Sequence, residues 1–356
     1  MTDRPYRIAL VLSGGNALGS WQAGAFAALA KRGIAPDWVS GASAGSINAA
    51  MIAGNTAEQA VGRLREFWTP APNGGAAWWP AEIDAWRRTA AVSAGLAIGR
   101  FDAFSPRPFF GEPWASAGEG VASVFDTAPM AAMLRRSVDW DRVASGPTRL
   151  SIAAVDLESG VDVVFDSARE RLGPDHVRAS SALLPAFPAV EIGGRHYVDA
   201  GLSANLPVDA VLAGPPAEPL LCIVLDLLPL SSPVPRTIGE AVGRMQDLIF
   251  AAQSRRAVDA WSEVYRLHGA AAPVVTLARL AYADQSREVA GKAFDFSPES
   301  AGERWAAGEA AMTAFLDRLA AGAVPMGRPG LTVLNAMGEA ALDQGAFRIR
   351  RLEMGG

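Results

Sequence analysis

Cysteine is all but missing from this chain: Cys222 is its single example in 356 residues. One thiol makes no intramolecular disulfide and no cysteine-based zinc cluster. Cys222 lies inside the apolar run Leu220–Leu225 and reads as a small buried hydrophobe. Histidine is scarce too. His176, His196 and His268 are far apart, and no His-x-x-x-His pair offers a metal site. Charged residues make up 19%, below the usual quarter, which argues against disorder over most of the chain. The net charge of -5 gives no basic surface for nucleic acid and no electrostatic reason to dock on anionic lipid.

Long apolar runs are also missing. The longest candidate, Leu220–Leu230, is broken by Asp226, well short of the roughly 18 residues that suggest a membrane span. The N-terminal run Ile8–Leu12 is too short for a signal-peptide core. The expectation is a cytoplasmic protein that at most touches a membrane surface transiently. No cofactor and no metal is called for, and the oligomeric state is left open.

What the chain has is apolar residues, 50% of the total, enough for a large core. Arg7–Ser13 reads as a buried strand stopping at Gly14-Gly15, and Ala17–Lys31 as a helix ending near Gly33. Trp38–Ala42 is a second strand and Ala44–Ala53 a second helix. This alternation predicts a three-layer α/β/α sandwich with a mainly parallel central sheet. Thr56 and Gln59 form a capping box for a helix reaching about Trp68. Arg149–Val155 with Val161–Phe165, and Ala189–Ile192 with Arg195–Val198, read as hairpins, and Val177–Leu184 as a short helix.

Residues 69–125 lose this regularity and crowd Trp78, Trp79, Trp86, Phe101, Phe104, Phe109, Phe110 and Trp114 between prolines. They read as an insertion beside the site, forming an acyl-chain pocket or lid, or simply covering the core. Thr237 and Glu240 open a long amphipathic helix with Ile238, Val242, Met245, Ile249, Ala252, Trp261 and Tyr265 on one stripe, and Ser297-Pro298 opens a last helix. The Ser- and Pro-rich stretch at 230–236 suggests a division into a catalytic domain, 1–230, and a mainly helical extension, 231–356, packed on it.

Three motifs carry chemistry. In Gly41-Ala42-Ser43-Ala44-Gly45 a serine between glycines sits where a strand becomes a helix, the pattern of a nucleophile elbow. Gly41 and Gly45 keep the turn free of side chains. In Ser13-Gly14-Gly15-Asn16-Ala17-Leu18-Gly19 a nest of backbone N–H groups precedes a helix and suits an oxyanion. Its glycine spacing differs from a dinucleotide fingerprint, and no P-loop lysine follows, so nucleotide binding is the weaker reading. In Tyr197-Val198-Asp199-Ala200-Gly201 an aspartate ends a hairpin strand, ahead of Leu202-Ser203-Ala204-Asn205-Leu206-Pro207.

Together these motifs, over residues 5–210, resemble the patatin-like phospholipases. So does Ser180-Ser181-Ala182-Leu183-Leu184-Pro185-Ala186-Phe187-Pro188. Phe294-Asp295-Phe296-Ser297 and Arg304-Trp305-Ala306-Ala307-Gly308 resemble an uncharacterised C-terminal extension of a bacterial branch. Asn16 departs from a third glycine, Leu18 from a basic residue, and Asp199-Ala200-Gly201 from Asp-Gly-Gly. The resemblance implies a metal-independent serine hydrolase of phospholipid, lysophospholipid or other acyl esters. It implies Ser43 as nucleophile, Asp199 as base, and Gly14, Gly15 and Asn16 as oxyanion donors. The alternative is a catalytically silent lipid-binding or scaffolding module of the same fold.

Overall fold

A computed structural model describes residues 4–69, 83–100, 102–107 and 123–337. In chain order the elements are β1 (Arg7–Leu12), α1 (Gly19–Lys31), β2 (Trp38–Gly41), α2 (Ala44–Ala53), α3 (Ala57–Trp68), α4 (Asp84–Ile98), β3 (Ser105–Pro106) and β4 (Phe125–Asp126). Then follow α5 (Ala128–Ser137), α6 (Trp140–Ser145), β5 (Arg149–Asp156), β6 (Asp162–Asp166), α7 (Pro174–Ser180), β7 (Val190–Ile192), β8 (Arg195–Asp199) and α8 (Asp209–Leu212). The last are β9 (Leu220–Asp226), α9 (Ile238–His268), β10 (Val274–Ala281), α10 (Pro298–Ala320) and β11 (Gly330–Met337).

Nine of these strands form one sheet, ordered β11-β10-β9-β1-β2-β5-β8-β7, with β6 pairing β5 off that path. The pairs from β11 through β5 are parallel, while β5–β6, β5–β8 and β7–β8 are antiparallel. Central parallel strands are buried on both faces and so read as continuous apolar runs. Ile8, Leu10 and Leu12 of β1 pack with α1, α2 and α10 on one side. Ala9 and Val11 pack with Val258 and Tyr265 of α9 on the other. This is the expected three-layer α/β/α sandwich.

Several local signals form as their chemistry dictates. Thr56 Oγ1 accepts from Gln59 N–H while Gln59 Oε1 accepts from Thr56 N–H, a complete capping box. Gly193 and Gly194 turn the β7–β8 hairpin with positive φ. Other readings are corrected. The helix expected over 177–184 runs instead from Pro174 to Ser180, because proline at its first turn starts it early. The irregular 69–125 segment contains the 15-residue α4, on which Trp86 is 76% exposed rather than turned inward. Trp78, Trp79, Phe101, Phe109, Phe110 and Trp114 lie outside the described residues.

The segment beyond residue 230 is not purely helical, since β10 and β11 extend the central sheet. On α9, Ile238, Val242, Met245 and Ile249 face solvent, and Asp247, Ala251, Ser254, Val258 and Tyr265 are the buried side. The α1–α10 crossing is close enough that a Cβ on Gly24 or Gly308 would strike the opposite backbone within 2.0 Å. Arg304 of α10, almost wholly buried, holds Glu288 in a bidentate pair and donates to the carbonyl of Ala17, just after the glycine loop. Among the described residues no helix is long and apolar enough to cross a membrane.

Candidate active site

β2 stops at Gly41, and α2 begins at Ala44. Between them Ser43 takes φ 52° and ψ -126°, a sparsely populated conformation for a residue with a Cβ. Such a backbone costs about 1–3 kcal/mol and persists where its surroundings over-determine it. Here Ser43 N–H donates to Ser180 Oγ at 3.0 Å, and its carbonyl accepts from Ser46 Oγ at 2.6 Å and Ser181 Oγ at 3.2 Å. The turn admits no side chain on either flank. A Cβ on Gly45 would lie 2.3 Å from the Leu12 carbonyl oxygen, and one on Gly41 2.4 Å from that of Gly45.

Asp199 closes β8, whose register pairs it with Ala154 of β5. Ser43 Oγ donates to Asp199 Oδ2 at 2.7 Å, and Gly201 N–H donates to Asp199 Oδ1 at 2.7 Å. Asp199 is 2% exposed. Burial pushes its carboxyl up to about 7, and the hydrogen bonds from Ser43 and Gly201 oppose that shift without cancelling it. Structural carboxylates elsewhere behave oppositely. Asp166 is also buried, but Arg149 and Ser151 bond to it and hold its carboxyl below the usual range.

The histidines are engaged elsewhere. His176 packs edge-on against Phe165, His196 Nδ1 lies 3.1 Å from Glu158, and His268 Nδ1 lies 2.8 Å from the Val264 carbonyl.

The glycine loop runs beside Ser43. Gly14 is the tightest point: a Cβ there would come within 2.5 Å of Asn205 Oδ1 and 3.0 Å of Ser43 Cβ. Its N–H donates to the Asn205 carbonyl at 3.0 Å. Gly15 and Asn16 N–H groups have no protein acceptor among the described residues. Asn16 takes φ 50°, a left-handed conformation that asparagine tolerates better than most residues. Of the three expected oxyanion donors, two are therefore free and one is used to fasten the loop.

Ser43, Asp199, Gly15 and Asn16 meet at one cavity of about 120 Å³. Its walls are apolar: Ile47 and Leu18 from the first helices, Phe67 and Trp68 from the end of α3, Phe104 and Met130 beyond it, and Leu183 and Phe187 after α7. Phe250 of α9 and Phe294 and Phe296 ahead of α10 complete them. Phe104 meets the rings of Phe125 and Phe187 edge-on at 5.0 Å each. The guanidinium of Arg100 lies 4.0 Å over the Phe67 ring and pairs with Asp102. Lys292 lines the cavity with Asp247, to which it donates at 2.9 Å.

Motif reading did not find Arg100, Met130, Phe250 or Lys292, since none stands in a patterned context. Phe294 and Phe296 did carry a signal, as part of a family-like stretch. Among the described residues no three His, Cys, Asp or Glu side chains converge as a metal site.

The family model described as patatin-like phospholipase matches residues 10–212, and a second, described as patatin phospholipase, matches residues 237–324. The chain belongs to the patatin-like phospholipase family. No curated protein matches it. Among solved structures it is similar to VipD from Legionella pneumophila, with 14% identity and a TM-score of 0.38, covering 85% of this chain and 67% of that one. It is also similar to the type III effector ExoU, with 13% identity and a TM-score of 0.37, covering 88% of this chain and 53% of that one. A further match is ExoU in its heterodimeric complex with SpcU from Pseudomonas aeruginosa, with 18% identity and a TM-score of 0.31, covering 71% of this chain and 51% of that one. The chain thus spans about half the length of the ExoU chains.

Proposed function

We propose that the protein hydrolyses acyl esters of lipids through a Ser43–Asp199 dyad and an acyl-enzyme. The observation that carries this reading is the 2.7 Å hydrogen bond from Ser43 Oγ to a buried carboxylate that no cation neutralises among its described contacts. A carboxyl near 7 is matched to proton transfer at neutral pH, where an ordinary aspartate is too weak a base. Asp199 takes the Ser43 proton as Oγ attacks the ester carbonyl. Gly15 and Asn16 N–H groups hold the resulting oxyanion, and each such donor is typically worth about 3–4 kcal/mol. The leaving alcohol receives the proton from Asp199; water, deprotonated by Asp199, then attacks the acyl-enzyme, and Asp199 returns that proton to Ser43 Oγ as the acid departs.

The apolar cavity accepts the acyl chain, which supports a lipid ester over a polar one. No step in this scheme calls for a metal, and the protein is proposed to meet its lipid by transient contact with a surface. Incubation with a fluorophosphonate probe and peptide mapping tests the assignment. Label should appear on Ser43 and vanish in Ser43→Ala together with ester hydrolysis. Full labelling of the alanine variant would overturn the nucleophile, and a folded wild-type protein without esterase activity would favour the silent lipid-binding module.

A further inference from the structure

Ser43 and Asp199 come from strands that do not touch. β2 pairs with β5 through Gly41 and Ile152, and β5 pairs with β8 through Ala154 and Asp199. Two inter-strand spacings, roughly 9–10 Å, separate their backbones, so a small shear or twist of the sheet would open the 2.7 Å bond between the side chains. The last residue of α7 and the two that follow it bridge that gap. Ser180 Oγ accepts from Ser43 N–H at 3.0 Å, Ser181 Oγ donates to the Ser43 carbonyl at 3.2 Å, and the Ala182 carbonyl accepts from Asp199 N–H at 3.1 Å. Three consecutive residues thus grip the backbone of both members of the pair.

The grip on Ser43 is not interchangeable with ordinary secondary structure. At φ 52° its N–H lies outside both the strand ladder and the helix, and Ser180 supplies its acceptor. Ser180 is wholly buried, so no water can substitute freely for its hydroxyl. Ser181 is also held, by its N–H, which donates to the Val177 carbonyl at 3.1 Å and ties the grip to the last turn of α7, while its one hydroxyl proton is shared between that carbonyl and the Ser43 carbonyl. The Ser43 carbonyl has a second donor in Ser46 Oγ, whereas its N–H has no second acceptor among the described residues.

We propose that Ser180 and Ser181 are positioning residues that set the distance between Ser43 Oγ and Asp199 Oδ2, with Ser180 the dominant one. This rests on the reading of Ser43 as nucleophile. Displacing a reacting group by about 1 Å can cost on the order of 100-fold in rate. Ser180 is wholly buried behind the cavity, so its loss should leave substrate binding alone, whereas Ser181 also lines the cavity.

The test measures kcat, KM, the rate of fluorophosphonate labelling and the thermal midpoint for Ser180→Ala, Ser180→Thr, Ser180→Cys and Ser181→Ala. Ser180→Ala should lower kcat and the labelling rate together by roughly 10–100-fold, with KM within about threefold. Ser180→Thr, which keeps the hydroxyl acceptor, should recover most of that loss. Ser180→Cys matches the size of serine with a weak acceptor and should behave like alanine, which covers the case of an alanine variant that fails to fold. Ser181→Ala should lose less, because Ser46 still holds the carbonyl. Wild-type kcat in folded Ser180→Ala, or equal losses in the threonine, cysteine and alanine variants, would overturn the proposal. If Ser43→Ala keeps full labelling, the nucleophile assignment fails instead, and the two failures are told apart by that single control.

Discussion

The floor of the cavity and its walls are built by different kinds of contact. On the floor, the elbow approaches its neighbours at backbone distance, with Gly45 against the Leu12 and Ser13 carbonyls and Gly41 against that of Gly45, while Gly14 meets the side chains of Asn205 and Ser43. The walls meet through side chains, chiefly the rings of Phe67, Phe104, Phe187, Phe250, Phe294 and Phe296. A backbone contact has nothing to rotate out of the way, whereas a side-chain wall can repack among rotamers. The floor should therefore respond to substitution in an all-or-none manner, and the walls in graded steps.

The sharpest test of the floor is Asp199→Asn. Turnover should fall by about 10⁴-fold, as when another buried catalytic aspartate is replaced. Stability should move the other way. The native carboxyl titrates near 7 and the unfolded one near 3.8, so between those values the folded state binds the extra proton. Stability contributed by this group is full below the lower value, falls as pH rises through the window, and stays low above about 7. Melting at pH 5 and pH 8 should show Asp199→Asn gaining on wild type at the higher pH. A variant that loses stability equally at both would mean that the carboxylate is not strained by burial.

The proposed dyad makes the same group responsible for the acid limb of the rate. With Asp199 as base, kcat/KM should drop about tenfold per unit below pH 7 and level off above it. A limb centred near pH 4 would remove the main electrostatic argument for the dyad. Next in size comes Gly14→Ala. Its methyl must displace Asn205 or Ser43, and the loss of aligned oxyanion donors should cost roughly 100-fold in kcat with little change in KM.

The walls are expected to give smaller effects. Phe250→Ala opens the cavity on the α9 side, and each substrate methylene it had contacted is worth up to about 0.8 kcal/mol. The preferred acyl chain should lengthen while acetate-ester turnover stays within about threefold. An unchanged chain-length profile would take Phe250 out of the acyl path. The smallest effects belong to His176→Ala, His196→Ala and His268→Ala, each within about tenfold, or roughly 1.4 kcal/mol of barrier. A near-total loss in one of them would break the comparison by placing a histidine on the floor.

Legibility followed the same division. The elbow, the glycine loop and the Asp199 hairpin were readable because each is a local pattern of small residues at a strand end, where only a tight turn explains the composition. The capping box at Thr56 and the N-cap at Thr237 were readable for a similar reason: a side chain and a backbone N–H three residues apart meet in any helix start, although Glu240 accepts from Arg236 N–H and so leaves the second box incomplete. The walls were readable only in part: Phe104 stands in the aromatic segment read as a pocket and Phe294 and Phe296 in a family-like stretch, while Met130 and Phe250 reach the cavity with no motif to mark them. The α9 stripe shows the limit most clearly. The period was right for Ile238, Val242, Met245 and Ile249, but these face out, while Tyr265, read as part of the same stripe, lies on the opposite, buried face with Asp247. A helical period says which residues share a face and is silent on which face meets the sheet.

By itself, the order of residues determined the alternating α/β layers, the tight turn at Ser43 and the glycine loop that precedes the first helix. Those features depend on contacts a few residues apart, and short-range sterics and hydrogen bonding decide them. Tertiary structure alone decided the remainder. It diverted Gly14 N–H to Asn205, 191 residues away. It brought Asp199, 156 residues from Ser43, to 2.7 Å, and buried it with no cation beside it among the described residues, so that its carboxyl rises to about 7. It also carried β10, β11 and the Phe294–Phe296 segment back to the sheet and the cavity. Distance and desolvation are properties of the packed whole: the same aspartate in an open turn would be an ordinary acid, and only the surrounding layers raise its carboxyl to about 7.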